Sequence, residues 1–274
     1  SYLGDQLYTE VQGQGAPMVF LAGLEGSTEF WQNRFGPLTK DHRLIFVDAL
    51  GFGRSPWPDA RYTLEDHLGA LRRTLVAKGA TKDVTIVAHS FGTILAAYYA
   101  ARYPSEVDRV VLLGAPVFGS ANEARRRIRE MSSLAALFSL HRWLAREACL
   151  TMGAFRPLLR KVLPSLVSDL PPGVVSDAVL HSWPAIDGTL RNVLLSRPVA
   201  PPLQEIGPKV TFIHGSADAV TPLPRIRQLA QAIGARVIVT ANDHRHYVSD
   251  SYQQVLQVLA TSSPSGPHVG TGLT

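Results

Sequence analysis

Residues 85–93 read TIVAHSFGT and place a serine between two different patterns. The residues that precede Ser90, VTIVAH, are mostly apolar and β-branched, as in a strand buried on both faces. The residues that follow, GTILAAYYAARYP, are rich in alanine and stop at a proline, as in a helix. The stretch therefore predicts a strand, a tight turn and a helix, with the Ser90 hydroxyl at the turn.

Similar patterns alternate along much of the chain. Apolar, β-branched-rich runs also occupy residues 17–22, 44–48, 107–114, 209–215 and 236–240. Helical patterns occupy residues 63–79, 92–104 and 223–234. Strands that alternate with helices favour an α/β fold with a mostly parallel, doubly wound sheet flanked by helices.

The alternation is interrupted after residue 118. Residues 119–197 carry helical patterns and no strand pattern, and the Pro-rich stretch RPVAPPL follows them. We interpret residues 1–118 and 198–262 as an α/β core domain and residues 119–197 as an inserted helical lid. Residues 263–274 are rich in Ser, Gly and Pro, which predicts a disordered tail.

Composition excludes several classes of protein. The chain has 274 residues, a formal net charge of +5 and a single cysteine, Cys149, so it has no internal disulfide framework. It carries no nucleic-acid-binding motif, no apolar run of the roughly 18 residues that span a bilayer, and no dinucleotide fingerprint. We expect a cytoplasmic protein with no cofactor, no metal, no nucleic-acid partner and no membrane span. The sequence does not set an oligomeric state.

The turn around Ser90 resembles the sharp strand-to-helix turn that exposes a nucleophile. Such a turn needs small residues two before and two after the serine, and Ala88 and Gly92 meet that need in A-H-S-F-G. A serine hydroxyl requires a base to become nucleophilic. The alternative interpretation is a serine that only caps an ordinary helix.

An acid and a histidine follow later in the chain, in the order such sites use. Asp218 lies in a turn after the strand pattern KVTFIHG, where it is either the carboxylate that orients the base or a simple turn residue. His244 and His246 both follow the strand pattern RVIVT. His244 is preferred because it comes directly after the turn residues, and His246 remains open. A metal site on H-R-H is the weakest reading, since two histidines lack further ligands.

An oxyanion site and a substrate pocket can also be assigned. The backbone amides of Phe91 and Leu24 are expected to bind the oxyanion, with Gly23 allowing the tight turn before Leu24. We expect a small-molecule substrate with an apolar acyl or ring group. Its candidate contacts, each of which also suits core packing, are Gly23, His89, Trp31, Phe138 and Trp143. The arginine run at 125–127 and 129 suits a solvated helix face or a contact with a carboxylate on the substrate.

Taken together, these segments resemble the α/β-hydrolase fold superfamily over residues 11–259. The matching motifs are VFLAGLEGSTEFWQ, IFVDALGFGRSPWP with Asp48, Gly51, Gly53 and Ser55, AHSFGT, IHGSADAVTP and NDHRHYVSD. The Asp243–His244 pair resembles the family's histidine loop, which supports His244 over His246. The family's dehalogenases and epoxide hydrolases use an aspartate where this chain has Ser90.

The resemblance implies a serine hydrolase of the carboxylesterase type. It implies an acyl-enzyme on Ser90, His244 and Asp218 and cleavage of a carboxylic ester, thioester or lactone. The alternatives are a carbon–carbon bond hydrolase or lyase on the same residues, or a receptor-like member with little turnover.

Overall fold

A seven-stranded sheet forms the centre of the molecule. The computed structural model describes residues 6–31, 34–131, 142–244 and 252–261. The strands are Thr9–Gln12 (β1), Ala16–Leu21 (β2), His42–Val47 (β3), Val84–His89 (β4), Val107–Leu113 (β5), Val210–Gly215 (β6) and Arg236–Thr240 (β7). Their order is β1-β3-β2-β4-β5-β6-β7, with β1 antiparallel to β3 and every other neighbouring pair parallel. The predicted α/β class and mostly parallel sheet are confirmed.

Helices follow most of the strands. They are Leu64–Ala77 (α1), Phe91–Arg102 (α2), Ala121–Met131 (α3), Arg142–Ala154 (α4), Arg156–Leu166 (α5), Pro172–Asp177 (α6), Trp183–Thr189 (α7), Ala200–Ile206 (α8), Leu223–Ile233 (α9) and Tyr252–Ala260 (α10). Short 3-10 turns cover Thr28–Phe30, Gly36–Lys40 and Gly207–Lys209, and a π-helical turn covers Leu190–Leu194. Thr63 caps α1, and its side chain accepts from the amide of Asp66 while the Asp66 carboxylate accepts from the Thr63 amide.

The sheet is buried on both faces, which explains the unbroken apolar runs. Val19 and Ile45 pack into one hydrophobic cluster, while their chain neighbours Phe20 and Phe46 pack into another on the opposite face. Strand β1, with the sequence TEVQ, was missed because it is short, polar and only partly buried. It pairs antiparallel with β3 at the edge of the sheet, where alternation rather than a continuous apolar run is expected.

The chain between β5 and β6 is helical where the structure describes it. It contains α3 to α8 and a single isolated bridge, from His181 to Phe52. The domain boundaries at 118 and 198 and the lid function remain predictions. Residues 263–274, predicted as a disordered tail, lie outside the described residues. No helix in the described ranges is long and apolar enough to cross a membrane.

Candidate active site

Ser90 occupies a strained turn between β4 and α2. Its backbone has φ 49° and ψ −119°, a conformation that non-glycine residues adopt at a cost of about 1–3 kcal/mol. The turn is fixed by a hydrogen bond from the Ser90 amide to the carbonyl of Leu113 (3.0 Å), at the end of the neighbouring strand β5. The side chain is therefore presented at the carboxyl edge of the sheet, where α/β folds place their ligand sites.

Close packing behind the turn requires a glycine at position 92. A Cβ atom on Gly92 would lie 2.6 Å from the carbonyl oxygens of both Leu21 and Ala22. Helix α2 therefore lies closer to the end of β2 than a residue with a Cβ atom at position 92 would allow. This is the steric reason for a small residue two positions after Ser90.

Replacement of Gly92 tests that close approach. We expect Gly92→Ala to lower the free energy of unfolding by about 1–3 kcal/mol, because the added methyl group pushes α2 away from two carbonyls. Gly36→Ala is the matched control, since no atom lies within 4 Å of a Cβ at Gly36. Denaturant unfolding of the two variants measures the difference, and equal stabilities would contradict the packing argument.

Three polar side chains form a hydrogen-bonded chain at this edge. Ser90 Oγ lies 2.8 Å from His244 Nε2, and His244 Nδ1 lies 2.9 Å from Asp218 Oδ2. A carboxylate only accepts hydrogen bonds, so Nδ1 carries the proton and Nε2 is left to accept from the Ser90 hydroxyl. This is the arrangement in which a histidine can remove the proton from a serine.

Asp218 is held in place by backbone donors. Its Oδ1 accepts from the amides of Val220 (2.8 Å) and Thr221 (3.2 Å), which leaves Oδ2 for His244. The residue is buried in the loop that follows β6. His214, at the end of the same strand, donates from Nε2 to the carbonyl of Thr221 (2.8 Å), and burial lowers the pKa of its imidazole.

His89 contacts the backbone of the histidine loop. Its Nε2 donates to the carbonyl of His244 (2.8 Å), and its ring stacks on Phe30 with centroids 4.6 Å apart. Burial lowers the pKa of His89 to about 3, so the ring is neutral. The buried ring therefore supports the backbone of His244, and its contact with substrate stays a prediction.

The turn after β2 lies against Ser90. A Cβ on Gly23 would lie 3.3 Å from Ser90 Cβ and 3.1 Å from His89 Nδ1, and the amide of Gly26 donates to the Gly23 carbonyl (3.0 Å). Within the described residues, the amides of Leu24 and Phe91 donate no hydrogen bond. Both amides belong to segments that border Ser90, as an oxyanion site would require.

Asp48 ties this turn to the loop after β3. The buried Asp48 carboxylate accepts from the amides of Thr28 (2.6 Å) and Arg54 (2.8 Å). Its own carbonyl accepts from the hydroxyl of Ser55 (2.6 Å). Burial is the largest effect on its acidity and raises the pKa of Asp48 to about 6. Through these hydrogen bonds the D-x-x-G-x-G-x-S segment holds the loop after β3 against the turn after β2.

Two of the predicted pocket residues differ in their burial. Trp31 is 1% exposed and packs against Phe20 and Phe35, so it belongs to the core and not to a pocket wall. Trp143 lies on α4 with 69% of its surface exposed, and its contact with substrate stays a prediction. Hydrophobicity alone does not tell which way an aromatic ring faces. Phe138, like the alternative base His246, lies outside the described residues.

The sequence did not predict a pair of polar residues, Glu25 and His181, beside the turn after β2. Glu25 follows Leu24 in a left-handed conformation (φ 61°), and its Oε1 lies 3.6 Å from Nε2 of the buried His181. Burial lowers the pKa of His181 to about 4, and burial raises the pKa of Glu25 to about 7, although 32% of the Glu25 side chain remains accessible. The Glu25 carboxyl is therefore partly buried beside His181. No signal in the sequence distinguishes it from a surface glutamate.

The raised pKa of Glu25 predicts that the free energy of unfolding depends on pH. The folded state binds the Glu25 proton more tightly than the unfolded state does. The stability that this proton contributes is therefore lost as pH rises from about 5 to about 8. Glu25→Gln cannot ionise. We expect its stability relative to the unchanged protein to rise by about 1 kcal/mol over that range, allowing for solvent access. Thermal unfolding at both pH values measures this, with exposed Glu65→Gln as control. A gain in the stability of Glu25→Gln that is the same at both pH values would contradict this expectation.

Comparison with known proteins decides the family. A profile described as alpha/beta hydrolase fold matches residues 16–249, which is most of the chain. This chain belongs to the alpha/beta hydrolase fold family. Within the described part of this alpha/beta hydrolase, no group of three or more His, Cys, Asp or Glu side chains is arranged to hold a metal ion.

Curated relatives match only part of their own length. The probable lysophospholipase BODYGUARD 4 of Arabidopsis thaliana is 37% identical over 116 residues, which cover 41% of this chain and 28% of that protein. A cis-3-alkyl-4-alkyloxetan-2-one decarboxylase of Shewanella oneidensis is 31% identical, over 42% of this chain and 37% of that protein. A haloalkane dehalogenase of Agrobacterium fabrum is 36% identical, over 39% and 35%. The chain therefore matches well under half the length of these relatives.

Solved structures share the fold over nearly the whole chain. The enol-lactonase from Burkholderia xenovorans has a TM-score of 0.70 at 19% identity, covering 93% of this chain and 96% of the lactonase. A thermophilic esterase from Thermogutta terrifontis has a TM-score of 0.69 at 19% identity, covering 93% and 92%. At these identities the likeness concerns the fold of the alpha/beta hydrolase alone.

Proposed function

We propose that this protein is a serine hydrolase that cleaves an ester-type bond, in a carboxylic ester, a thioester or a lactone. The observation that carries the proposal is the continuous chain from Ser90 Oγ through His244 to Asp218, with links of 2.8 and 2.9 Å. The strained turn at Ser90 supports it, because strain of this kind persists where the surrounding structure maintains it for function.

The reaction begins with attack by Ser90. His244 Nε2 takes the hydroxyl proton as Ser90 Oγ bonds to the carbonyl carbon, and the carbonyl oxygen becomes an oxyanion. The amides of Leu24 and Phe91 donate to that oxyanion. One such donor is worth roughly 10²–10³-fold in rate. His244 then gives the proton to the leaving alcohol, thiol or lactone oxygen, and the ester bond breaks to leave an acyl group on Ser90.

Water completes the turnover. His244 takes a proton from water as the water oxygen attacks the acyl carbon, and returns it to Ser90 Oγ as the carboxylic acid leaves. Asp218 stays ionised throughout and stabilises the imidazolium that forms twice per cycle. General base catalysis of this kind contributes about 10²–10⁴-fold.

The names of the relatives are compatible with this chemistry. They include a probable lysophospholipase, an enol-lactonase and an esterase, all of which suggest carbonyl substrates. The dehalogenase relative suggests a different reaction. Ser90 argues against that reaction here, since dehalogenases of the family carry an aspartate at the turn. An ester, thioester or lactone with an apolar acyl or ring group is the proposed substrate class.

The helical segment between β5 and β6 is the proposed lid. It contacts both loops that border the site. Ser27 donates to Asp177 Oδ2 (2.9 Å), and the amide of Gly53 donates to the carbonyl of Leu180 (2.8 Å). Movement of this segment would change access to Ser90, because Asp177 at the end of α6 is hydrogen-bonded to Ser27, in the same loop after β2 as the Leu24 amide.

Hydrolysis of p-nitrophenyl esters tests the proposal. We expect turnover of at least one member of a series from acetate to long acyl chains, and the chain-length profile then measures the acyl pocket. Pretreatment with a fluorophosphonate is the control and removes the activity. A series in which no ester is turned over would overturn the ester-hydrolase proposal and favour a carbon–carbon hydrolase, a lyase or a receptor.

A further inference from the structure

A cleft lies where the helical segment between β5 and β6 joins the sheet. It has a volume of about 490 Å³, and its walls come from the residues that leave β5 and from those that lead back towards β6. The lining residues are Pro116, Phe118–Ala121, Ala124, Arg125, Arg191 and Leu194–Pro198. A cleft of this size is in the range that holds small organic ligands. Ser90, His244 and Asp218 are not among its lining residues. A ligand here would touch both connections of the segment at once.

Arginines dominate the charge of this cleft. Its lining includes Arg125, Arg191 and Arg197, and none of the described residues that line it is acidic. Arg197 forms no side-chain hydrogen bond or ion pair with the residues the structure describes, and its backbone amide donates a hydrogen bond to the carbonyl of Val193 (2.8 Å). The Arg125 side chain donates only to the Asn122 amide oxygen, at 3.3 Å. Two guanidinium groups are thus available for an anion.

The neighbouring carboxylates are already engaged. Asp187 accepts from both Arg191 (2.7 Å) and Arg142 (2.7 Å), so one negative charge is shared by two cations. Glu123 accepts from Arg225 (2.6 Å) and from the Gly119 amide (2.8 Å). Neither carboxylate can neutralise the remaining arginines, so the cleft keeps a net positive charge.

The rest of the lining is apolar. Phe118, Leu194 and Leu195 contribute hydrocarbon surface beside the guanidinium groups. Guanidinium forks bind carboxylate and phosphate oxygens through paired hydrogen bonds, and apolar walls favour a hydrocarbon body. A ligand with an anionic head and an apolar tail fits both features.

We propose that this cleft binds an amphiphilic anion, with a carboxylate or phosphate head at Arg125 and Arg197 and a hydrocarbon tail against Phe118 and the two leucines. The site connects the two ends of the helical segment, so occupation holds the segment to the sheet and stabilises the folded state. The inference is independent of whether Ser90 is a nucleophile, because it uses none of the residues around Ser90.

Calorimetric titration of the full chain tests the proposal, with octanoate, octyl phosphate and 1-octanol as probes below their aggregation limits. We expect the anions to bind at least tenfold more tightly than 1-octanol, and the tighter anion identifies the head group. Arg125→Gln and Arg197→Gln are each expected to weaken anion binding about tenfold, whereas exposed Arg227→Gln on α9 leaves it unchanged. Turnover of an uncharged p-nitrophenyl ester stays the same in Arg197→Gln and in the control Arg227→Gln.

Two results would overturn the proposal. One is equal affinity for the anions and for 1-octanol. The other is anion binding that survives both cleft variants but disappears when Ser90 is blocked by a phosphonate, which would locate the anion at Ser90. Since turnover of esters is measured separately, failure of this proposal is distinguishable from failure of the proposed hydrolase activity.

Discussion

Ser90→Ala is expected to lower kcat/KM for an ester by about 10⁶-fold while leaving the fold intact. The variant removes the atom that forms the acyl bond. Among the described residues, the Ser90 hydroxyl forms one hydrogen bond, to His244 Nε2 at a partly buried position, and the variant loses it. The free energy of unfolding should therefore change by no more than about 1 kcal/mol. Ester turnover and denaturant unfolding, measured on the same preparation, separate the two effects.

Replacing Ser90 with glycine gives a second test of the same claim. Ser90→Gly removes the hydroxyl and also relieves the strained backbone at φ 49°, so it should be inactive yet about 1–3 kcal/mol more stable than Ser90→Ala. Ser165→Ala on α5 is the control for replacement of an exposed serine. Residual turnover within about tenfold of wild type in either position-90 variant would contradict a covalent role for Ser90.

Asp218→Asn is expected to lower kcat by about 10⁴-fold. The Asp218 carboxylate accepts from His244 Nδ1 at 2.9 Å and so keeps Nε2 free to accept from Ser90. An asparagine can present its NH₂ group to Nδ1, which moves the imidazole proton to Nε2 and blocks removal of the Ser90 proton. The amide oxygen can still accept from Val220 and Thr221, so the loop should fold.

Steady-state kinetics on the best ester from the series measure this loss. The exposed residue Asp59, changed to asparagine, is the matched control and should retain full activity. A small change in kcat for Asp218→Asn would mean that another group orients His244. A loss of activity accompanied by unfolding would mean that the loop depends on the charge of Asp218.

The fold was largely predictable because its signals are local. Strand β4 was predicted with its observed bounds, and α1 lies within the predicted helical stretch 63–79. Buried parallel strands need apolar residues on both faces, and this requirement is visible in the five strands β2 to β6. Strand β7 is apolar in sequence although it is a partly exposed edge strand. Strand β1 has no such requirement, because it is a short edge strand, so its polar sequence carried no signal.

The site was predictable only as a set of candidates. Ser90, Asp218 and His244 were named from their positions after strands, but their distances depend on how the sheet brings strand ends together. Their catalytic roles remain predictions. The burial of Trp31, the exposure of Trp143 and the contact of Glu25 with His181 follow from tertiary packing, which residue type alone does not specify.

The central claim is that Ser90 Oγ becomes covalently bonded to substrate. The most direct measurement is mass spectrometry of the protein after reaction with a fluorophosphonate, followed by digestion and mapping of the modified residue. The account predicts one phosphonyl group per chain, located on Ser90 and absent when His244 is replaced by alanine, because the hydroxyl then lacks its base. An unmodified chain, or a phosphonyl group on a residue other than Ser90, would contradict it.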